Sequence, residues 1–178
     1  MKLRKRKVLR IALGLVLCFN GYRVAGGAQP DRAQLDVGGA RNTALVRRWI
    51  DEGFNKRNIE VVDEIFAEKV TINAHQLNRD DLKRNMRRRL NAFPDLHVTI
   101  DEVVAEGKMV GIWYTAKGTH RGEFEGIAAT GRQVTWSGVD LLRIQDGKIA
   151  EGRFVDDSLG LMQQLGAKIT VTPAQRPN

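Results

Sequence analysis

One acidic residue, Asp140, interrupts an otherwise apolar stretch, Val139-Asp140-Leu141-Leu142. Downstream, Asp146-Gly147 separates two strand-like runs and is typical of a two-residue hairpin turn, because both turn positions favour positive φ. That turn predicts Asp140 directly opposite Arg153, with Cβ atoms about 5 Å apart. The two side chains then either line a polar pocket, moving a proton and stabilising a carbonyl or enolate oxygen, or form a structural ion pair. A bulge would shift this register by one residue.

Further candidates for proton transfer stand at strand ends. His75 ends a predicted strand, where an imidazole either enters a cavity as acid, base or donor, or lies at the surface. Asp156 and Asp157 close the last predicted strand. Because neighbours in a strand point to opposite faces, at most one of them faces a given cavity. Asp157 is the reserve candidate for a base, and either residue could instead cap the helix that follows.

Large aromatic side chains on the predicted strands are candidates for lining a lipophilic pocket, or else belong to the core: Trp113, Tyr114, Trp136 and Phe154. The other two histidines, His97 and His120, are expected at the surface. No histidine pair has metal-ligand spacing, and neither a nucleotide-binding motif nor GxSxG is present. The sequence therefore predicts no metal and no cofactor.

The net charge of +8 in 178 residues suggests a nucleic-acid partner until the charges are located. Residues 1–28 hold seven basic residues and no acidic residue, so the remainder is nearly balanced. A basic start, the apolar run 11–19 and the small residues 25–28 predict a signal peptide over 1–28, and hence a periplasmic or secreted protein. The alternative is that residues 1–28 stay uncleaved and anchor the protein, which is the only contact with a membrane that we expect.

The basic residues within 83–89 are expected to form a solvated helix face, and no nucleic-acid partner is expected.

Hydrophobic periodicity predicts helices first and strands afterwards, an α+β arrangement. Residues 29–42 lack periodicity and are predicted to be a linker, residues 43–166 a single domain, and residues 167–178 a flexible tail. Helices are expected from Thr43, after Asn58 and from Asp80, with a short one over 159–165. Strands are expected over residues 70–75, 96–105, 108–119, 134–145 and 148–156.

Several motifs occur in a characteristic order: Ala92-Phe93-Pro94-Asp95-Leu96, Gly118-Thr119-His120-Arg121-Gly122-Glu123-Phe124, Ala128-Ala129-Thr130-Gly131, Asp146-Gly147-Lys148-Ile149 and Leu161-Met162-Gln163-Gln164-Leu165-Gly166. From about Thr43 to Gly166 this set resembles the SnoaL-like polyketide cyclase (ester cyclase) family. The resemblance implies a nuclear-transport-factor-2-like cone, with N-terminal helices packed on a curved, mostly antiparallel sheet around a deep pocket. It also implies a homodimer formed through the sheet and ring closure by intramolecular aldol condensation without metal or cofactor.

The chain departs from this family on its last strand. Where members carry acid-x-Trp-Asp, this sequence has Glu151-Gly152-Arg153-Phe154, so Phe154 replaces the acid associated with proton transfer. We therefore expect a hydrophobic pocket for a small, carbonyl-bearing ligand, with Asp140 and His75 transferring protons. Arg153 is expected to stabilise a carbonyl or enolate, with Asp157 in reserve, in cyclisation, isomerisation or hydrolysis. The alternative is a non-catalytic binding module or a dimeric interaction module.

Overall fold

Helices and strands follow one another in the order that the sequence predicts. The computed structural model describes residues 32–168, so the predicted signal peptide and residues 169–178 of the predicted tail lie outside the described residues. The helices are α1 (Arg32–Arg48), α2 (Val61–Ile65), α3 (Arg79–Ala92) and α4 (Ser158–Leu165), and a π-helical segment, Trp49–Asn55, follows α1 directly. The strands are β1 (Phe66–Ile72), β2 (His75–Asn78), β3 (His97–Glu106), β4 (Met109–Thr119), β5 (Gln133–Gln145) and β6 (Lys148–Asp156).

All six strands form one sheet in the order β2-β1-β6-β5-β4-β3. The pairing of β1 with β6 is parallel, and the other four pairings are antiparallel. The expectation of a mostly antiparallel sheet is therefore confirmed. Through this parallel pair, β1, which comes early in the chain, lies beside β6, the last strand.

The two faces of the sheet have different environments. Along β5 every second side chain from Val134 to Ile144 is buried, the period of two that a half-buried strand requires. Apolar residues of the helical layer are buried in the same core, among them Trp49, Met86 and Leu90. We call the surface that carries the buried β5 residues the inner face and the opposite surface the outer face. Within residues 32–168, no helix is both long and apolar enough to span a membrane.

The predicted linker, residues 29–42, is wrong where the structure describes it, because α1 begins at Arg32. This part of the helix lies against the turn between β3 and β4. Asn42 donates a hydrogen bond of 3.0 Å from Nδ2 to the carbonyl of Gly107 in that turn. A Cβ at Gly39 would stand 3.7 Å from the side chain of Ala105. Tertiary contact, rather than an apolar stripe, accompanies this first part of the helix.

The strand predicted over 70–75 is two strands joined by a tight turn. Asn73 and Ala74 both adopt positive φ, 49° and 68°, and His75 begins β2. Alanine rarely takes that conformation, so its type carries no turn signal. The helix that follows begins at Arg79, where Asn78 and Asp81 exchange side-chain-to-backbone hydrogen bonds in a capping box.

The hairpin between β5 and β6 has the predicted turn but not the predicted register. Gln145 pairs with Lys148 as expected, but the register shifts by one residue between Arg143 and Ile144. Ala150 is the additional residue, which makes this a β-bulge. Asp140 consequently lies opposite Phe154, not Arg153. Because side chains alternate along a strand, the even-numbered residues of β6 beyond the bulge share the inner face with Asp140.

Candidate functional site

A cavity of about 500 Å³ lies between the helices and the inner face of the sheet. Aromatic side chains from both layers make up much of its wall: Trp49, Phe54, Phe66, Tyr114, Phe124, Trp136 and Phe154. Trp49 and Phe154 stack with ring centroids 5.6 Å apart. Such a wall suits a small, flat, apolar ligand.

A group of four polar side chains interrupts the aromatic wall on one side. Asp140 projects from β5, Asp156 from β6, Tyr114 from β4 and Arg89 from α3, and all four line the cavity. Arg89 donates a hydrogen bond of 2.8 Å from Nη2 to Oδ2 of Asp156. The Tyr114 hydroxyl donates to the other oxygen, Oδ1, of Asp156. These contacts leave Asp156 with a donor on each oxygen.

Asp140 has a different environment from Asp156. Its side chain is buried, with 3% of the residue exposed, and among the described residues Oδ1 has no hydrogen-bond partner. Burial and the nearby charge of Asp156 raise the pKa of Asp140 to about 8, although Arg89 opposes the shift. A carboxyl group in this state exchanges its proton near neutral pH, which is what a general acid or base requires.

The pKa values of Arg89 and Tyr114 are shifted by burial and by the nearby acids Asp140 and Asp156. Burial disfavours the Arg89 cation, but the charge and hydrogen bond of Asp156 keep the pKa of Arg89 above its usual value. Burial, together with the charges of Asp140 and Asp156, raises the pKa of the Tyr114 hydroxyl. Tyr114 is therefore a neutral hydrogen-bond donor, and Arg89 is a cation within the cavity wall, 6.0 Å from the ring centroid of Trp136.

A missing side chain makes room for these contacts. Gly138 lies between Tyr114 and Asp156 in the register of β4, β5 and β6. A Cβ built on Gly138 would stand 2.4 Å from the Tyr114 hydroxyl and 2.8 Å from Oδ1 of Asp156. A larger residue at this position would force the Tyr114 ring or the Asp156 carboxylate to move, so glycine leaves the space in which the two side chains meet.

The structure brings four of the predicted site residues into the cavity wall and leaves Trp113 out. Asp140, Tyr114, Trp136 and Phe154 line the cavity. Trp113 lies on the outer face, 53% exposed, since it neighbours Tyr114 on the same strand and must point the other way.

Three predicted catalytic residues are not among those that line the cavity. Arg153 is exposed on the outer face and pairs with Glu151 at 3.1 Å, a consequence of the bulge. His75 is exposed on β2 at the edge of the sheet. Asp157 is exposed and accepts a 2.9 Å hydrogen bond from the backbone of Gly160, which makes it the N-cap of α4.

The expectation that His120 lies at the surface is wrong. Its side chain is fully buried, with the imidazole 5.4 Å from the ring of Phe93. The backbone N–H of Thr130 lies 3.3 Å from Nδ1 of His120, across the loop between β4 and β5. The backbone groups of His120 also bond to Gly131 and Arg132. These contacts from both its side chain and its backbone hold the loop between β4 and β5 against the core, so His120 has a structural role.

Sequence reasoning missed Arg89 as a cavity residue because it belongs to a dense run of basic residues. A signal was nevertheless present: Arg89 lies three residues after Met86 and seven after Leu82, the spacing of one helix face. Asp156 was one of two adjacent acids, and only the bulge decides which of them faces inward. Among residues 32–168, no three or more His, Cys, Asp or Glu side chains cluster so as to hold a metal ion.

Helices packed on a curved, mostly antiparallel sheet around a cavity are the architecture of the nuclear-transport-factor-2-like class, and the expected fold is confirmed. Residues 44–165 match the family model of the SnoaL-like polyketide cyclases, and the chain belongs to that family.

Relatives and solved structures agree with the family. The aklanonic acid methyl ester cyclases DnrD of Streptomyces peucetius and DauD of Streptomyces sp. (strain C5) are each 39% identical over 71 residues, 38% of this chain. The match spans about half the length of these curated relatives, 49% and 44%. AclR from Streptomyces galilaeus is similar in structure, with a TM-score of 0.65 and 28% identity over 72% of this chain and 97% of AclR. TsrD from Streptomyces laurentii gives a TM-score of 0.67 and 27% identity over 72% and 97%.

Proposed function

We propose that this chain is an enzyme that binds a small, hydrophobic, carbonyl-bearing molecule and moves a proton at the carbon beside the carbonyl. The observation that carries the proposal is Asp140, a buried acid without a partner on Oδ1, in the wall of an aromatic cavity. The names of the curated relatives, which are ester cyclases, make ring closure the first reaction to consider.

The chemistry uses Asp140 in its ionised form. Oδ of Asp140 accepts the proton of the C–H bond next to the carbonyl, and the electron pair of that bond moves onto the carbonyl oxygen as an enolate. The Arg89 cation stabilises that oxygen, the role that the sequence analysis gave to Arg153. In a ring closure the enolate carbon then attacks a second carbonyl of the same molecule. Asp140 returns its proton to the new alkoxide, so the carboxylate is regenerated.

A second candidate function is non-catalytic binding. Phe154 stands where the family resemblance predicts an acid, and its stacking on Trp49 adds apolar surface to the cavity wall. A binding module would use this wall to hold an apolar molecule without transferring a proton.

An exchange experiment separates the two functions without knowledge of the natural substrate. The probe is 1-tetralone, a small aromatic ketone, whose α-protons exchange with D₂O and can be followed by proton NMR. We expect the wild type to accelerate exchange and Asp140→Asn to lose about 100-fold or more of that acceleration, since general base catalysis contributes at least this much. Binding, followed by quenching of tryptophan fluorescence, is expected to be retained.

The matched control is Asp101→Asn, which also removes a carboxylate. Asp101 is exposed on β3 and accepts a hydrogen bond from Thr115 at 2.7 Å, away from the cavity wall. Full exchange in Asp101→Asn and loss in Asp140→Asn support the enzyme. Equal exchange in Asp140→Asn and the wild type contradicts it, and binding without any exchange favours the binding module.

A further inference from the structure

The two carboxylates of the cavity are unequally provided with hydrogen bonds. Asp156 accepts from Arg89 at 2.8 Å and from the Tyr114 hydroxyl, one donor on each oxygen. Asp140 has no partner on Oδ1 among the described residues, although it is the more buried of the two. The Arg89 cation therefore lies near both Asp140 and Asp156, but it forms a hydrogen bond with Asp156.

The register of the sheet explains this inequality. Tyr114, Gly138 and Asp156 are Cα partners in one row across β4, β5 and β6. Asp140 and Phe154 belong to the next inward-facing row. Because Gly138 has no side chain, Tyr114 and Asp156 meet over it. Arg89 reaches the same point from α3, so three elements converge on Asp156 beside Asp140.

We infer that Asp156, Arg89 and Tyr114 form a positioning network that holds the Asp156 carboxylate beside Asp140 and leaves Asp140 as the proton carrier of the cavity. This inference rests on the proposed function for its catalytic meaning. Asp156 acts through Asp140: its charge discourages a second negative charge nearby, while Arg89 limits that effect. Tyr114 holds the Asp156 carboxylate in place.

The network predicts opposite effects for two substitutions. Asp156→Asn removes the negative charge and frees Arg89 to interact with Asp140, so Asp140 should release its proton at lower pH. Arg89→Gln removes the cation and leaves both acids, so Asp140 should hold its proton to higher pH. Within residues 32–168, the charged or titratable groups that face Asp140 are Asp156 from β6, Arg89 from α3 and Tyr114 from β4. Two other charged residues of the cavity wall, Arg88 and Glu125, pair with each other at 2.7 Å.

The experiment is a carbon-13 NMR titration of the Asp140 carboxyl group in full-length protein labelled at aspartate. Asp140→Asn identifies the signal. We expect the midpoint to fall by about one pH unit or more in Asp156→Asn and to rise in Arg89→Gln. Arg89→Lys, which restores the charge, should return the midpoint toward that of the wild type. The midpoint of the pH profile of 1-tetralone exchange should move in the same directions.

Glu151→Gln is the matched control, since it removes a carboxylate from β6 on the outer face, where Glu151 pairs with Arg143 and Arg153. An unchanged midpoint in Asp156→Asn, or equal shifts in Glu151→Gln and Asp156→Asn, would overturn the inference. If Asp156→Asn does not fold, Arg89→Gln and Arg89→Lys decide the question, and equal midpoints in those two variants would contradict it. The titration needs no catalysis, so shifted midpoints without exchange would retain the network and reject the proposed enzyme.

Discussion

Asp140 illustrates how one residue can be both recognisable in a sequence and costly in a structure. A carboxylate in an apolar strand is conspicuous, because burying its charge opposes folding unless a partner or a proton compensates. Here Oδ1 lacks a partner among the described residues, and the pKa of Asp140 is raised to about 8. The proton therefore makes burial tolerable at neutral pH.

This protonation predicts how stability depends on pH. An aspartate in the unfolded chain ionises near pH 4, whereas folded Asp140 ionises near pH 8, so between these values the folded state binds more protons. The contribution of Asp140 to the free energy of unfolding is complete below about pH 4 and should decline by about 5 kcal/mol as the pH rises to 8. Urea unfolding of the wild type and Asp140→Asn across this range measures it. A parallel decline in both proteins would contradict the assignment.

The sequence predicted Asp140 and three aromatic residues of the cavity, but not the partners of Asp140. Asp140 was found from its polarity alone, a local property. Arg89 and Asp156 matter only because α3 and β6 place them together, and such proximity depends on packing between distant segments. Arg153 was a reasonable partner in the uninterrupted hairpin, and the bulge removes it.

At the scale of elements, regular periodicity predicted most of the structure. Strands β3 to β6 begin and end within one residue of their predicted bounds. Along β5 the side chains alternate between buried and exposed from end to end. The exceptions include the start of α1, the π-helical segment after it, the start of β1 at Phe66, the division between β1 and β2, and the bulge. Each depends on a tertiary contact or a backbone conformation that the residue types, such as alanine at positions 74 and 150, do not predict.

Asp157 provides a test at this scale. Its side chain accepts from the backbone of Gly160, while Gly166, with φ of 100°, ends α4 in the left-handed conformation. We expect Asp157→Ala to lower the free energy of unfolding by about 1 kcal/mol, the usual value of an N-cap. Asp157→Ser, which retains an acceptor oxygen, should lose much less. Chemical denaturation of both variants measures the difference, and equal losses would indicate that the cap contributes nothing.

For the whole molecule, the outer face of the sheet carries a row of exposed apolar side chains: Val104, Trp113, Val139, Leu141 and Val155. Trp113, Val139 and Val155 are neighbours across β4, β5 and β6, so the row is continuous. Charged residues of both signs flank it, such as Glu151 between Arg143 and Arg153. A surface with mixed charges around an apolar centre complements a copy of itself. We propose that two copies of this chain associate through the outer face.

Native mass spectrometry of the full chain tests this association. The wild type should be a dimer, and Trp113→Glu should dissociate into monomers because it places a charge at the centre of the contact. Asn91→Glu, which adds the same charge on α3 in the helical layer, is the control. A monomeric wild type, or a dimer that survives in Trp113→Glu, would contradict the proposal. The same spectra test the predicted export, since removal of residues 1–28 reduces the mass by a defined amount.

The bulge at Ala150 lies next to the hairpin turn and outside the cavity wall, yet it determines which residues of β6 face the ligand. If Ala150 were paired regularly, with no bulge, the remainder of β6 would shift by one residue, presenting Arg153 and Val155 to the ligand and turning Phe154 and Asp156 to the outside. No residue of the cavity wall need be substituted for this to happen. Because the pairing beyond the bulge already omits Ala150, a one-residue gap at this position in a homologue would keep Asp140 opposite Phe154 and the same residues facing the cavity.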